Sequence, residues 1–443
     1  SMPLTIPFPL SFSLDAALAQ TYRIKDGYLD PPALRLEKQR RYTFTQGITS
    51  TLLQHSKQRT LAKESQTLQF AIDEGQPELS LNFRPLLDCY YTRDFKDAFT
   101  SKGKLKPAIS VKGHHLPGLV ECFANGAYQE SPENFIALLF LPLACGYYRL
   151  PSLRSALVIP EVSSLNAWVR RRKKRAGETY QQFCAGGAGE AGLRFFVWDK
   201  SSDELRKSAI DYCEVYQLGK QMWDGNQSYL KQQVYRIRAK PEMLALYQDA
   251  LGFFPSKVRL NDKGESWLAI SKVLPWVAEN LIAERPWHAG FFEFRKANTI
   301  YPEDRSGLVK MHEHINERDR VLFDAVQGAF RTLLYEEGKQ ASKQGRSLDY
   351  KQVSNKAIYR LQRPSTQQQF ASALVDFLSR YRSSAARGNG LEIAARLHSD
   401  RQWQQSRDLA MLAIATYVGK SKEESNAIEA SEAESDSPYT EFS

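Results

Sequence analysis

Hydrophobic and polar positions follow two different rhythms along the 443-residue chain, and the change falls near Asp304. Before it, short apolar runs alternate with turn signals. LTIPFPLSFSL is a β-like opening. TLQFAI (67–72) and LSLNF (79–83), joined by DEGQPE, predict a hairpin. SALVIP (155–160) and LRFFVWD (193–199) predict buried strands, and QQVYRIRAK predicts a strand with Arg236 and Arg238 on one face. SSDELRKSAIDYCEVYQL predicts a helix, with a cap at Ser202 or Asp203 and apolar positions at Leu205, Ile210, Cys213 and Tyr216.

After Asp304 the spacing becomes helical throughout. RDRVLFDAVQGAFRTLLYEEGKQASKQ places Val321, Leu322, Ala325, Val326, Ala329, Phe330, Leu333 and Leu334 three and four apart, as a buried helix face requires. LDYKQVSNKAIYRLQR, STQQQFASALVDFLSRYRSSA and DRQWQQSRDLAMLAIATYVG repeat the pattern, with a turn at Gly388-Asn389-Gly390. The expected fold is therefore α+β: a mixed α/β body over 1–310, a four-helix bundle over 311–420 and a disordered Ser/Glu-rich acidic tail over 421–443.

Charge sharpens this picture. Lys and Arg number 60 against 50 Asp and Glu, a net +10. From Gly419 onward two lysines meet seven acids, net −5, which leaves +15 on the residues before. An excess of that size favours a polyanionic partner, because each cation placed on a phosphate releases condensed counterions. The longest apolar stretch, Phe135–Tyr148, is 14 residues and is broken by Pro142. A membrane span needs roughly 20, so a core segment is expected. No Lys or Arg precedes Arg23, and Pro3, Pro7 and Pro9 interrupt the opening run, so no secretory signal is expected. Five widely spaced cysteines without a CxxC pair argue against disulfides and zinc, and with the missing signal they place the protein in a reducing cytoplasm.

Candidate chemistry narrows by elimination. Gly187-Ala188-Gly189-Glu190-Ala191-Gly192 satisfies GxGxxG, but a dinucleotide site needs a strand before and a helix after. The expected order here is the helix ETYQQFCA before and the strand LRFFVWD after, which makes the glycines a flexible connector. His312-Glu313-His314 lacks HExxH spacing, and His114-His115 has no partner cluster, so neither a metal nor any other cofactor is expected. GxSxG and P-loop patterns do not occur. A non-catalytic protein is the reading favoured; the alternative is a nucleic-acid-processing enzyme built from scattered Asp, Glu and His.

The strongest feature is the run Arg170, Arg171, Arg172, Lys173, Lys174 and Arg175 behind Trp168. Six cations around nearly two helical turns leave no core face, and only anions relieve their repulsion, so phosphate contact is expected. Lys102, Lys104, Lys106 and Lys112 in the irregular loop Ser101–Gly118, with Arg236 and Arg238, extend the same surface. Tyr90, Tyr91, Trp168 and Tyr180 lie nearby and suit either base stacking or the core.

Taken together, QFASALVDFLSRYRSSA (369–385), DRQWQQSRDLAMLAIATYV (400–418), GYLDPPAL near 30 and SALVIPEV near 160 give a specific likeness. The chain resembles the large subunit of type I CRISPR surveillance complexes (Cascade), of the type I-B sort, with a small-subunit-like bundle fused at its C-terminus. The resemblance implies a prokaryotic, cytoplasmic, non-catalytic subunit that reads the protospacer-adjacent motif in duplex DNA and stabilises the R-loop in antiviral defence or RNA-guided transposition. Its implied partners are a guide CRISPR RNA, double-stranded target DNA and its displaced strand, and the backbone and handle-binding subunits. A helicase-nuclease or a transposition adaptor would follow, and no membrane is implied. No motif-reading residue is carried over. On charge alone, Arg380, Arg382, Arg387, Arg396, Arg401 and Arg407 are the bundle cations suited to a single-stranded backbone.

Overall fold

The computed structural model describes residues 10–54, 58–89, 91, 98–111, 128–174, 177–197, 210–224, 227–230, 233–238, 240–400 and 402–419. The chain divides into two compact units at Glu284/Arg285, upstream of the boundary expected near 310.

The first unit is organised by a four-stranded antiparallel sheet in the order Gln233–Arg238, Ile210–Leu218, Arg154–Val162, Gly146–Leu150. In Ile210–Leu218, Cys213 and Val215 are buried on one face while Tyr212, Glu214 and Tyr216 point to the other. Residues 210–218 are therefore a strand, not the helix expected from Ile210, Cys213 and Tyr216. A spacing of three puts Cys213 and Tyr216 on opposite faces of a strand; the alternation from Tyr212 to Tyr216 is the pattern that counts, and pairing with strands on both sides selects it. The reverse happens at LRFFV, which forms the end of the helix Ala188–Val197 instead of a strand. Nine of that helix's ten residues are buried, so the polar stripe that would reveal a helix is missing from the sequence.

Close approach locks the two faces of this sheet. A Cβ on Gly192 would lie 2.4 Å from Ile237 and 2.9 Å from Val215, so the helix Ala188–Val197 sits directly on the sheet. On the opposite face, a Cβ on Gly47 in the helix Lys38–Ser50 would lie 2.3 Å from Tyr147 Cβ. The expected hairpin forms, with Gln66–Phe70 antiparallel to Leu79–Phe83. Residues 10–14 of the opening run belong instead to the helix Leu10–Thr21. FIALLFLPLA lies in the helix Pro132–Ala144, whose first turn Ser131 caps by accepting from Asn134 N at 3.3 Å. No described helix is long and apolar enough to cross a membrane.

In the second unit three of the long helices start at a residue whose side chain accepts from the first turn. Asn316 caps Glu317–Lys343, Asp349 caps Tyr350–Gln362 and Thr366 caps Gln367–Arg380. With Trp403–Ala415 these are the four helices expected. The last is central: Leu409 through Ile414 are all buried, and both Glu317–Lys343 and Tyr350–Gln362 pack on it. The bundle is also larger than four. Phe291–Ala297 and Pro302–Met311 precede it, and the turn expected at 388–390 separates two short helices, Ser384–Gly388 and Gly390–Leu397.

Candidate nucleic-acid interface

Two structural classes emerge among the cations of the first unit. The basic run continues the helix Leu165–Lys174, as expected, and Trp168 anchors it: the indole is buried, 5.7 Å from the Phe195 ring. Arg170 is exposed. Arg171, Arg172, Lys173 and Lys174 share the helical backbone, and Arg175 lies outside the described residues. Lys102, Lys104 and Lys106 are exposed on a turn closed by a Phe99–Leu105 bridge, and the segment then becomes the strand Ile109–Val111, more regular than the loop expected. Lys112 and the His114-His115 pair lie outside the described residues.

Arg236 and Arg238 share the sheet face opposite the helix Ala188–Val197. Arg236 donates to Glu214 at 2.7 Å and lies 4.6 Å over the Tyr212 ring. The hydrogen bond from Arg236 holds the Glu214 carboxyl below its usual range. Arg236 is thus half committed to an exposed pair, which water screens. Arg238 is the next exposed cation along that edge. The nearby aromatics belong to the core: Tyr91 stacks on Tyr22 at 4.5 Å, and Trp168 and Tyr180 are buried. Tyr90 lies outside the described residues.

In the second unit, Arg380, Arg382 and Arg387 are exposed, and the last two line a cleft of about 480 Å³ with Val375 and Ile393. Two of the expected contacts are corrected. Arg396 is only 5% exposed, pairs with Asp319 and donates to the Arg318 carbonyl at 2.8 Å, so no strand can reach it. Arg407 lies 3.8 Å over the Phe292 ring and 5.3 Å from Trp403, taken up by aromatic packing. Arg401 lies outside the described residues.

The geometry adds residues that charge counting passed over. Tyr350–Gln362 contains no acid, and Lys351, Lys356 and Arg360 are exposed along it, with Arg363 just after. Beside it opens a cleft of about 870 Å³, walled by Tyr301, Arg305, Ile358 and Tyr417. Arg305 is held rigidly, donating to the Ala415 and Tyr417 carbonyls at 3.0 and 2.8 Å and to the Tyr350 hydroxyl at 2.8 Å. Arg295, also on the wall, meets Asn355 at 3.5 Å, and burial pushes its guanidinium down. The available signal was a 13-residue helix without a carboxylate, hidden because its apolar period alone assigns it to the bundle.

The buried polar cluster has a different character. His288 Nε2 lies 3.3 Å from Asp319 Oδ2, off the hydrogen-bonding axis, and both residues are closed to water. Burial alone would raise the Asp319 carboxyl; the contacts from His288 and Arg396 outweigh it and hold it at about 2. Asp408 accepts from Gly290 N and Phe292 N at 2.8 and 2.9 Å, capping the helix Phe291–Ala297 from a distant part of the chain. These carboxylates are spent on structure. His312 and His314 sit on one turn of 3₁₀ helix, and the His312 ring stacks on Phe323. Cys89, Cys145, Cys184 and Cys213 are buried thiols.

The glycine fingerprint opens a helix after all, yet the helix is not an anion site. Glu190 is fully buried in its first turn, accepting from Gly186 N at 2.7 Å and from Arg194 Nε at 2.6 Å. Gly189 meets Glu279 and Ile282, and Gly192 meets the sheet. The glycines are packing positions, not a connector and not a phosphate cradle.

Against known proteins, residues 10–139 match the DevT N-terminal domain and residues 310–441 the DevT C-terminal domain. The chain is also similar to the CRISPR-associated protein Cas8a1/Csx13 of Myxococcus xanthus (strain DK1622), 26% identical over 321 residues. That alignment covers 66% of this chain and 56% of the relative, so the chain spans little more than half of the relative's length.

Proposed function

We propose that this chain, related to a CRISPR-associated protein and matching DevT domains near both ends, is the large, non-catalytic subunit of an RNA-guided DNA surveillance complex of the Cascade type. The observation that carries this reading is the pairing of that relationship with exposed cations on both units: Arg170 on its Trp168-anchored helix, and the acid-free helix Tyr350–Gln362. In such a complex base pairing to the guide RNA reads the target, while protein reads a short adjacent motif and grips backbone. The first unit is assigned to duplex DNA beside that motif, and the second to a strand separated from it.

The division has a physical basis. A helix carrying consecutive cations presents charge in several directions and suits the two phosphate ridges of a duplex. Separated strands expose base faces as well, and they need apolar and aromatic surface beside the cations. Exposed tyrosines and apolar clefts accompany the cations of the second unit.

The test is a salt titration of binding to a short duplex containing candidate motifs. Affinity should fall steeply and linearly in log–log form, and changing Arg170–Arg175 to alanine should flatten the slope by up to about five charges. An unchanged slope would remove that helix from the interface. Co-purification with a backbone subunit and guide RNA tests membership of the complex.

A further inference from the structure

Beside the helix Tyr350–Gln362, three features coincide that phosphate binding alone does not require. The first is shape: about 870 Å³ lies within the range of small-ligand pockets and is ample for a base or two. Its walls include Ile300, Leu308, Ile358 and Ile414, apolar surface that suits the face of an unstacked base better than a hydrated ion. The second is aromatic: Tyr301 is 47% exposed on the cleft wall, and Tyr359 is 62% exposed one turn beyond Asn355. One exposed tyrosine is ordinary. Here Tyr301 stands on the cleft wall and Tyr359 follows the cleft-lining Ile358, with cations on the same helix.

The third is an incomplete set of hydrogen bonds. Ser354 lines the cleft, and its Oγ is buried without a hydrogen-bond partner among the described residues. Arg295, half-buried on the same wall, meets an amide oxygen at 3.5 Å and no carboxylate among the described residues. Unpaired buried polar groups are costly, so the Ser354 hydroxyl, closed to water as it stands, gains a partner by a small turn toward the cleft, and the weakly held Arg295 guanidinium favours an incoming acceptor. The edge of a nucleobase offers both. Lys351 lies on the cleft wall, and outside it Lys356, Arg360 and Arg363 follow one side of the helix.

We propose that this cleft receives one or two unstacked bases of a single nucleic-acid strand. Tyr301 and Tyr359 stack on the bases, Ser354 and Arg295 meet base edges, and the lysine and arginine row holds the phosphates. A duplex cannot enter, because its bases are paired and stacked. The inference rests on the reading of the chain as a nucleic-acid-binding subunit and adds the kind of strand and the residues that hold it.

The experiment uses the full chain, short single-stranded DNA with 5-iodouracil at each position in turn, and the same DNA with abasic positions. Photocrosslinks should map to Tyr301 or Tyr359. The abasic strand should bind about tenfold more weakly than the intact one. Y301L/Y359L should lose that base-dependent tenfold while binding the abasic strand and duplex DNA as the parent does, with an unchanged thermal midpoint. If Y301L/Y359L destabilises the chain, N355L, which narrows the mouth from an exposed position without adding an aromatic face, replaces it and should give the same loss. Equal binding of abasic and intact strands, or crosslinks confined to other residues, overturns the cleft assignment. Failure of all nucleic acid to bind would instead overturn the functional reading beneath it.

Discussion

At Arg396 a guanidinium closed to water meets the Asp319 carboxylate, with the His288 ring beside them. Removing one partner of such a pair leaves the other charge buried, which is worse than losing a surface contact. Arg396→Leu should lower unfolding stability by about 3–5 kcal/mol. The exposed Arg387→Ala should change it by less than about 0.5 kcal/mol. Chemical denaturation of the two variants checks both. The pH dependence has a definite sign. Asp319 titrates at about 2 in the fold against 3.8 unperturbed, so its contribution is complete above 3.8 and is lost as pH falls to about 2. Arg396→Leu should flatten that acid limb. Counting cations in sequence finds Arg396 and Arg387 alike; only burial separates the one that holds the fold from those that reach solvent.

Among elements, the sheet of the first unit depends on a near-contact between the Gly47 backbone and the Tyr147 side chain. Gly47 passes over Tyr147 so closely that even alanine must displace the ring or the helix Lys38–Ser50. Gly47→Ala should cost about 1–3 kcal/mol, whereas Gly252→Ala, inside the helix Pro241–Phe253 with open space around it, should be neutral or stabilising. Differential scanning calorimetry would order them. Elements with local signals were legible: the hairpin 66–83 from its alternation and turn residues, and the second unit's long helices from their caps and apolar stripes. The segments 188–197 and 210–218 exchanged identities because their deciding contacts are remote. The helix is buried almost all round and loses its period, while the strand's three-residue spacing holds only until its neighbours pair with it.

Over the whole molecule, net charge pointed to a polyanion partner, but it did not say which cations are engaged within the fold. Arg396 and Arg407 are engaged internally, Arg236 is half engaged, and the row Lys351, Lys356, Arg360 is exposed. K351A/K356A/R360A should therefore weaken single-strand binding and reduce its salt slope by about two charges, near 0.7 per cation, with little effect on duplex binding. Arg170–Arg175 to alanine should have the converse pattern. Filter binding at several salt concentrations with both DNA forms distinguishes the two. If the two sets of variants act identically on both forms, the units do not divide the work.

The buried Glu190 bears on how other chains are read. Letter scanning would file GAGEAG with nucleotide binders, but here the fourth letter brings its own anion to the helix start and neutralises Arg194 with it. An incoming diphosphate would have to evict that carboxylate and strand the arginine, so a photoreactive dinucleotide should leave residues 186–194 unlabelled. An acid in the first turn behind the glycines, with an arginine four residues on, is a decoy mark worth checking before any fingerprint is taken as a cofactor site.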